Sequence, residues 1–305
     1  MSAVNLAPWV LWALACATLS ALARPGVGVR AALSLAVLAA PPWAGDLPVV
    51  RVAFTVCAVV FVMRAIDWDS LEARSGWERF VWLVLPVVRR IPVSTAARAR
   101  ARGRAWRHLP WALGYLAAWI VLGWAFSHWA QPAPRWAEST MAIFFFVFAF
   151  ASTAELASAA ALTLGADVQP VFDRPLVSRS LREFWSRRWN RFVSRFLLKH
   201  VALRLPRGTS PALRTFGVFF VSGLLHEYFA WGAVGSDYPA GWMLGFFCVH
   251  GLAVLLEDRL PMAPRTLGIA LTFSWMVFTA PAFFHPVATC MPGFGYPSDW
   301  IPSAP

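Results

Sequence analysis

The chain has 305 residues, 59% of them hydrophobic and only 14% charged, with 18 tryptophans and 24 phenylalanines. A soluble domain has roughly a quarter of its residues charged, so this composition excludes an ordinary soluble fold and predicts an all-α, polytopic integral membrane protein. The net charge is +12, from 27 Lys and Arg against 15 Asp and Glu. Its distribution along the chain matches the positive-inside rule and anionic headgroups, which replaces the nucleic-acid reading such a charge would carry in a soluble protein.

About eight apolar stretches are long enough to be read as spans, near residues 8–23, 31–44, 47–63, 110–129, 139–164, 212–234, 241–257 and 267–288. The N-terminal stretch lacks a basic segment ahead of it and has its positive charge behind it, at Arg24 and Arg30, so it reads as a retained first span, not a cleaved signal peptide. If that span runs outside to inside, the loops 24–30, 64–109, 167–211 and 257–266 are cytoplasmic and hold nearly every basic residue, with Arg51 and Arg135 the main exceptions. A bacterial inner membrane with the Arg-rich loops in the cytoplasm is the matching localisation. No period of 20 to 50 residues recurs, so one integral domain over 1–305 is expected, with 1–165 as hydrophobic scaffold and 166–288 as the part that carries chemistry.

Cys16, Cys57, Cys248 and Cys290 are scattered singly, without metal or disulfide spacing. Neither a His-x-x-x-His pair nor a phosphate-cradling glycine loop occurs, so no metal site and no bound cofactor are expected.

The segment after Pro170 differs in kind. Phe172-Asp173-Arg174-Pro175 reads as a turn, and Ser180 with Glu183 three residues on has capping-box spacing. Leu181, Phe184, Trp185, Trp189, Phe192, Val193, Phe196 and Leu197 then recur at helical period, with Arg182, Arg187, Arg188, Arg191 and Arg195 between them. One amphipathic interfacial helix is the expectation. Asn190 falls near its aromatic face, where a polar amide needs a partner.

Of six histidines, His108, His128 and His200 lie at span ends or at the interface, and His285 precedes Pro286 near the end of the last span, an interfacial position. His226 interrupts Phe219 to Phe229 at membrane depth, where an ionisable group is costly and marks either a functional site or a satisfied core histidine. Its neighbour Glu227 points about 100° away on a helix and is expected to pair with an arginine or a helix end. His250 and Glu257, seven apart, share one face of the next span and could line a cavity. A neutral imidazole there can take a proton from a hydroxyl that attacks a thioester, and an amide such as Asn190 can stabilise the resulting oxyanion.

These residues carry a resemblance. Ser180-Leu181-Arg182-Glu183-Phe184-Trp185-Ser186-Arg187-Arg188-Trp189-Asn190, then Ser222-Gly223-Leu224-Leu225-His226-Glu227, then Phe246 to Gly251 with Glu257, resemble three ordered blocks of the wax synthase-like branch of the membrane-bound O-acyltransferases. The resemblance implies transfer of an acyl group from acyl-CoA, as co-substrate, to the hydroxyl of a lipophilic alcohol within the bilayer, with His226 as active-site base and Asn190 as its partner. Arg187, Arg188 and Arg191 are the candidates for the CoA phosphates, and with Trp189, Glu227 and His250 they form the expected substrate-binding set. An acetyltransferase acting on a sterol, terpenoid or polyketide alcohol is the alternative. A proton-coupled transporter or lipid-binding protein using His226, Glu227, His250 and Glu257 as a relay is a more distant one.

Overall fold

The computed structural model describes residues 5–22, 24–45, 47–71, 75–92, 94–128, 134–235, 238 and 240–290. Helices occur at each of the eight apolar stretches: α1 Ala7–Ala21, α2 Val27–Leu38, α3 Pro48–Ile66, then α6 Leu109–His128, α7 Arg135–Thr163, α10 Pro211–Val234, α11 Trp242–Glu257 and α12 Arg265–Cys290, with short α4 Gly76–Val84, α5 Thr95–Arg102, α8 Leu181–Glu183 and α9 Arg191–Leu197 between them. Among the described residues, three helices are long and apolar enough to cross a membrane: Pro48–Ile66, Arg135–Thr163 and Arg265–Ala288. Helix α2, with 12 residues, rises only about 18 Å, against a hydrocarbon core of about 30 Å. The apolar surface fits lipid: on α6, Trp111, Leu113, Val121 and Trp124 are each more than 60% exposed, a patch that water would penalise.

The residues form two compact groups. The first comprises Met1–Gly114, Ser152–Pro170 and Trp231–Ser236. Within it α1, α2, α3 and α4 pack on one another. Helix α4 opens with a reciprocal capping box between Ser75 and Glu78. Arg79 of α4 donates from Nε to the Ser20 carbonyl at the end of α1 (2.6 Å), satisfying a helix-end acceptor. Arg64 of α3 lies over the Trp82 ring at 4.4 Å and donates to the Leu85, Pro86 and Val88 carbonyls (3.1, 3.1 and 2.8 Å). That buried guanidinium fixes the turn into a small two-stranded antiparallel ladder, β1 Val88–Arg90 with β2 Asp167–Val168. The all-α expectation is corrected to this extent. Asp167 on β2 stands between Arg90 and Arg104, at 3.4 Å from each, a pairing between distant loop segments that hydrophobic periodicity does not encode. Cys16, Cys57 and Cys248 are free thiols; the Cys290 side chain and residues 1–4 lie outside the described part.

The second group comprises Tyr115–Ala151, Val171–Ala230 and Asp237–Pro305. One of its cores joins Ala142, Ile143, Phe146 and Val147 of α7 to Met243 of α11 and Ala280, Phe284 and Val287 of α12, with Trp189 packed against it. A second joins Leu181, Phe219, Phe246, Phe247 and Val254, with Trp185 against it. The two helices that carry the second and third blocks are brought together by glycine. A Cβ on Gly223 would stand 3.0 Å from the Leu244 Cα, and one on Gly251 would stand 2.9 Å from the Phe219 Cβ, so α10 and α11 run antiparallel at a separation only glycine permits.

Candidate active site

The expected amphipathic helix is interrupted. Leu181–Glu183 runs into a π-turn at Phe184–Arg188, closed by Trp189 N–H donating to the Phe184 carbonyl (2.8 Å). Trp189 is extended, Asn190 is left-handed at φ 39, and the chain re-enters a helix at Arg191. The aromatic spacing continues through this break, so periodicity does not reveal it. Asparagine is one of the few residues that adopts this conformation readily, and π-turns gather at functional sites. The Asn190 side-chain oxygen caps α9, accepting from Val193 N–H at 3.4 Å, which leaves the Nδ2 hydrogens as donors.

Ser180 caps α8 through Glu183 N–H (2.9 Å), as its spacing predicts, but the Glu183 carboxylate reaches Arg179 N–H (2.7 Å) instead of returning to Ser180. Burial pulls the Glu183 carboxyl up, and the Arg179 N–H and the Arg188 guanidinium outweigh it, holding the group below its ordinary value. Arg188 is fully used inside the fold. Its Nε and Nη2 bond Glu183 (2.9 and 2.7 Å), and its Nη1 bonds the carbonyls of Asp173 and Arg174 (3.1 and 3.4 Å). The 171–174 turn closes on the break by two main-chain bonds, Asp173 N–H to the Arg188 carbonyl (2.9 Å) and Arg191 N–H to the Val171 carbonyl (2.8 Å). The Arg191 side chain stands 4.0 Å from Asp173. The Trp189 ring is sandwiched by Phe172 (4.8 Å) and Phe184 (5.7 Å). The first block is therefore a scaffold that holds Asn190.

Helix α11 holds that scaffold in turn. Glu257 accepts from Leu181 N–H (2.9 Å) and Arg182 N–H (3.1 Å), capping α8 from a distant part of the sequence. Two turns earlier His250, fully buried, accepts from the Trp185 indole N–H on Nδ1 (3.1 Å). With Nδ1 an acceptor, the proton of the neutral ring sits on Nε2, which donates to Thr279 Oγ1 at 2.9 Å, and Thr279 donates to the Trp275 carbonyl at 2.8 Å. His250 and Glu257 do share a face, and there they bond residues 181, 182 and 185, while Val254 between them, and neither of the two, is in the lining of the cavity that Asn190 and His226 border.

The second block places His226 one turn after Ser222, with Nδ1 2.8 Å from the Ser222 carbonyl. A carbonyl only accepts, so Nδ1 carries the proton and Nε2 of the neutral ring keeps its lone pair. The ring contacts Phe247 at 4.2 Å and Phe229 at 5.3 Å. Because it meets the serine's main chain, the imidazole does not activate the Ser222 hydroxyl. Glu227 points elsewhere, as adjacency requires, and accepts from Gly241 and Leu244 N–H groups (3.0 and 2.7 Å) at the start of α11.

A cavity of about 380 Å³ joins the two blocks, within the range of ligand pockets. Asn190 and His226 both line it, with Trp185, Trp189, Val193, Leu197, Val218, Phe219 and Phe247 as apolar wall and Arg182, Arg195 and Arg214 as cations. Of the expected site residues, His226, Asn190 and Trp189 are brought together, while Arg187, Arg188, Arg191, Glu227 and His250 are absent from the lining. The composition of the 174–207 cluster did not distinguish Arg195, which lines the cavity, from Arg188, which staples carbonyls. The relay of His226, Glu227, His250 and Glu257 is likewise dispersed, since both carboxylates cap helices and both His250 nitrogens are occupied by Trp185 and Thr279.

Residues 168–249 match the model of the membrane bound O-acyl transferase family. A protein of Arabidopsis thaliana named "Probable long-chain-alcohol O-fatty-acyltransferase 2" is 34% identical over 140 residues, 41% of this chain and 40% of that protein. The acetyltransferase ple2 of Rhodocybe pseudopiperita is 36% identical over 117 residues, 36% of this chain and 31% of that one. An acyl-CoA–sterol O-acyltransferase of Arabidopsis thaliana is 31% identical over 148 residues, 43% and 42% of the two chains. The matched stretch thus spans less than half the length of each of these relatives. The family match over 168–249 contains both Asn190 and His226, so the two blocks that border the cavity lie in the part of the chain that is similar to membrane bound O-acyl transferases.

Proposed function

We propose that this protein transfers an acyl group from acyl-CoA to the hydroxyl of a lipophilic alcohol inside the bilayer, with 166–288 as the catalytic core and His226 and Asn190 as the catalytic residues. The observation that carries the reading is that a ring nitrogen with a lone pair and an amide donor, from two separate sequence blocks, border one apolar cavity. The alcohol oxygen attacks the thioester carbonyl carbon while its proton passes to His226 Nε2. The tetrahedral oxyanion accepts from Asn190 Nδ2. Collapse breaks the carbon–sulfur bond, the imidazolium returns the proton to the thiolate, and an ester and free CoA leave. Arg195, which lines the cavity, supplies positive charge to an anionic donor in place of Arg187, Arg188 and Arg191. In this reading the eight apolar helices are embedded in the bilayer and the basic loops face the cytoplasm.

Donor length is the open variable, since the relatives' names include both fatty-acyl and acetyl transfer. CoA release by the purified full chain in detergent, across donor lengths and lipophilic alcohols, tests the reaction. His226→Ala is expected to lose the alcohol-dependent release by at least about 10² while staying folded; full activity in that variant removes the assignment.

A further inference from the structure

The cavity has a direction. On α10 it is lined by Arg214, Thr215, Val218, Phe219, Ser222 and His226, one face of the helix over twelve residues, or about 18 Å at 1.5 Å per residue. On α11 it is lined by Phe247 and Val254, two turns apart. The glycine contacts set Phe247 against Gly223 and Gly251 against Phe219, so both helices border the same channel along its length. His226 is the last α10 residue in the lining, and Phe247 and Phe229 pack on its ring. The other end opens near Pro211 among Leu198 and Leu203, which are 53% and 67% exposed. The Arg214 guanidinium is held beside that mouth by the carbonyls of Ala202, Pro206 and Thr209.

We propose that this channel gauges an unbranched hydrocarbon chain, its reacting carbon at His226 and its tail toward the Pro211 mouth, with Val218 and Thr215 as the specificity-determining residues. The inference rests on the acyl-transfer reading above. An extended chain advances about 1.2 Å per bond, so about 18 Å accommodates about fifteen bonds. Val218 stands eight residues from His226, about 12 Å or ten bonds, and Thr215 eleven residues, about 16 Å or fourteen bonds. The shared chemistry is a linear alkyl chain, whether it belongs to the acyl donor or to the alcohol.

The test uses the purified full chain and two substrate series, acyl-CoA of varied length with one alcohol and alcohols of varied length with one acyl-CoA. Wild type, Val218→Trp and Thr215→Trp are compared in both. In one series Val218→Trp is expected to impose a cut-off near ten bonds and Thr215→Trp one near fourteen, each methylene beyond the block costing roughly tenfold or more in kcat/KM. The other series keeps its profile, and the series that shifts identifies whose chain lies in the channel. Length preference is a ratio within one preparation, so a reduced folded fraction cancels. Turnover with unchanged length preference in both variants, or an equal loss at every length, overturns the gauge while leaving the reaction intact. No CoA release by wild type with any pair removes the reaction itself.

Discussion

Asn190 permits its structural and chemical roles to be separated by substitution. It does two things for the fold: it occupies a left-handed position at φ 39, and its oxygen caps α9 through a long, 3.4 Å bond. Asn190→Ala forfeits both, the cap at about 0.5 kcal/mol for so long a bond and the left-handed conformation at about 1–2 kcal/mol, for a total near 2 kcal/mol. Asn190→Gly forfeits only the cap, a difference of a few tenths, and relieves the backbone, so its stability is expected within about 1 kcal/mol of wild type. Asn190→Asp keeps the capping oxygen and the tolerated conformation but replaces the amide donor by an acceptor.

The chemical role makes a different ordering. If the Nδ2 hydrogens stabilise the tetrahedral oxyanion, every one of these variants loses that donor, at about 2.7–4 kcal/mol or 10² to 10³ in kcat. Thermal unfolding in detergent and CoA-release kinetics on the same preparations separate the two. Stability should fall in Ala alone, while kcat falls in Ala, Gly and Asp alike. An Asn190→Gly protein that is stable and retains more than about a third of wild-type kcat refutes the role, and leaves Asn190 as a cap.

Gly223→Ala places a methyl 2.9 Å from the Leu244 side chain and 3.0 Å from its Cα; a loss of about 1–3 kcal/mol is expected from this overpacking, with a fall in kcat because α11 is forced away beside His226, checked by thermal unfolding and kinetics. Thr279→Val deletes the acceptor of the fully buried His250 Nε2–H and should cost about 1–3 kcal/mol of stability, with an unchanged melting temperature as the contrary result. Glu183 is held below its ordinary carboxyl value, so its contribution to stability is complete above about pH 4.3 and is lost as pH falls through the lower folded value. Glu183→Gln should therefore lower the melting temperature at pH 7, with the difference from wild type shrinking in acid; a difference independent of pH would falsify the charge-based account.

Much of this was written in the sequence at the level of helices, since each apolar stretch folds as a helix. The break at Trp189–Asn190 was not. Aromatic spacing runs through it, and only the tolerance of asparagine for a left-handed backbone hints at a turn. His250 and Glu257 illustrate a second boundary: their separation of seven correctly puts them on one face, yet spacing names no partner across the interface, and the partners are an indole and two main-chain amides 65 to 76 residues away. The arginines mark a third. A guanidinium satisfies carbonyl groups as well as phosphates, so residue type does not separate Arg188, which staples a turn, from Arg195, which borders the cavity.

The relative placement of His226 and Asn190 then has a traceable cause. Glu227, fixed to His226 by sequence adjacency, caps the first turn of α11. Glu257, at the other end of α11, caps the first turn of α8, and from α8 the π-turn and the Trp189 sandwich lead to Asn190. Each carboxylate meets a helix N-terminus, where its charge is favourable by roughly 0.3–2 kcal/mol. An ion pair joining His226 directly to the Asn190 segment would put charge into the cavity wall and hold hydration that an attacking hydroxyl must displace. Using helix ends instead keeps both charges out of the lining while α11 acts as a strut between His226 and Asn190. The two glutamates thus position His226 and Asn190 through helix ends, and neither carboxylate is in the lining of the cavity that the two residues border.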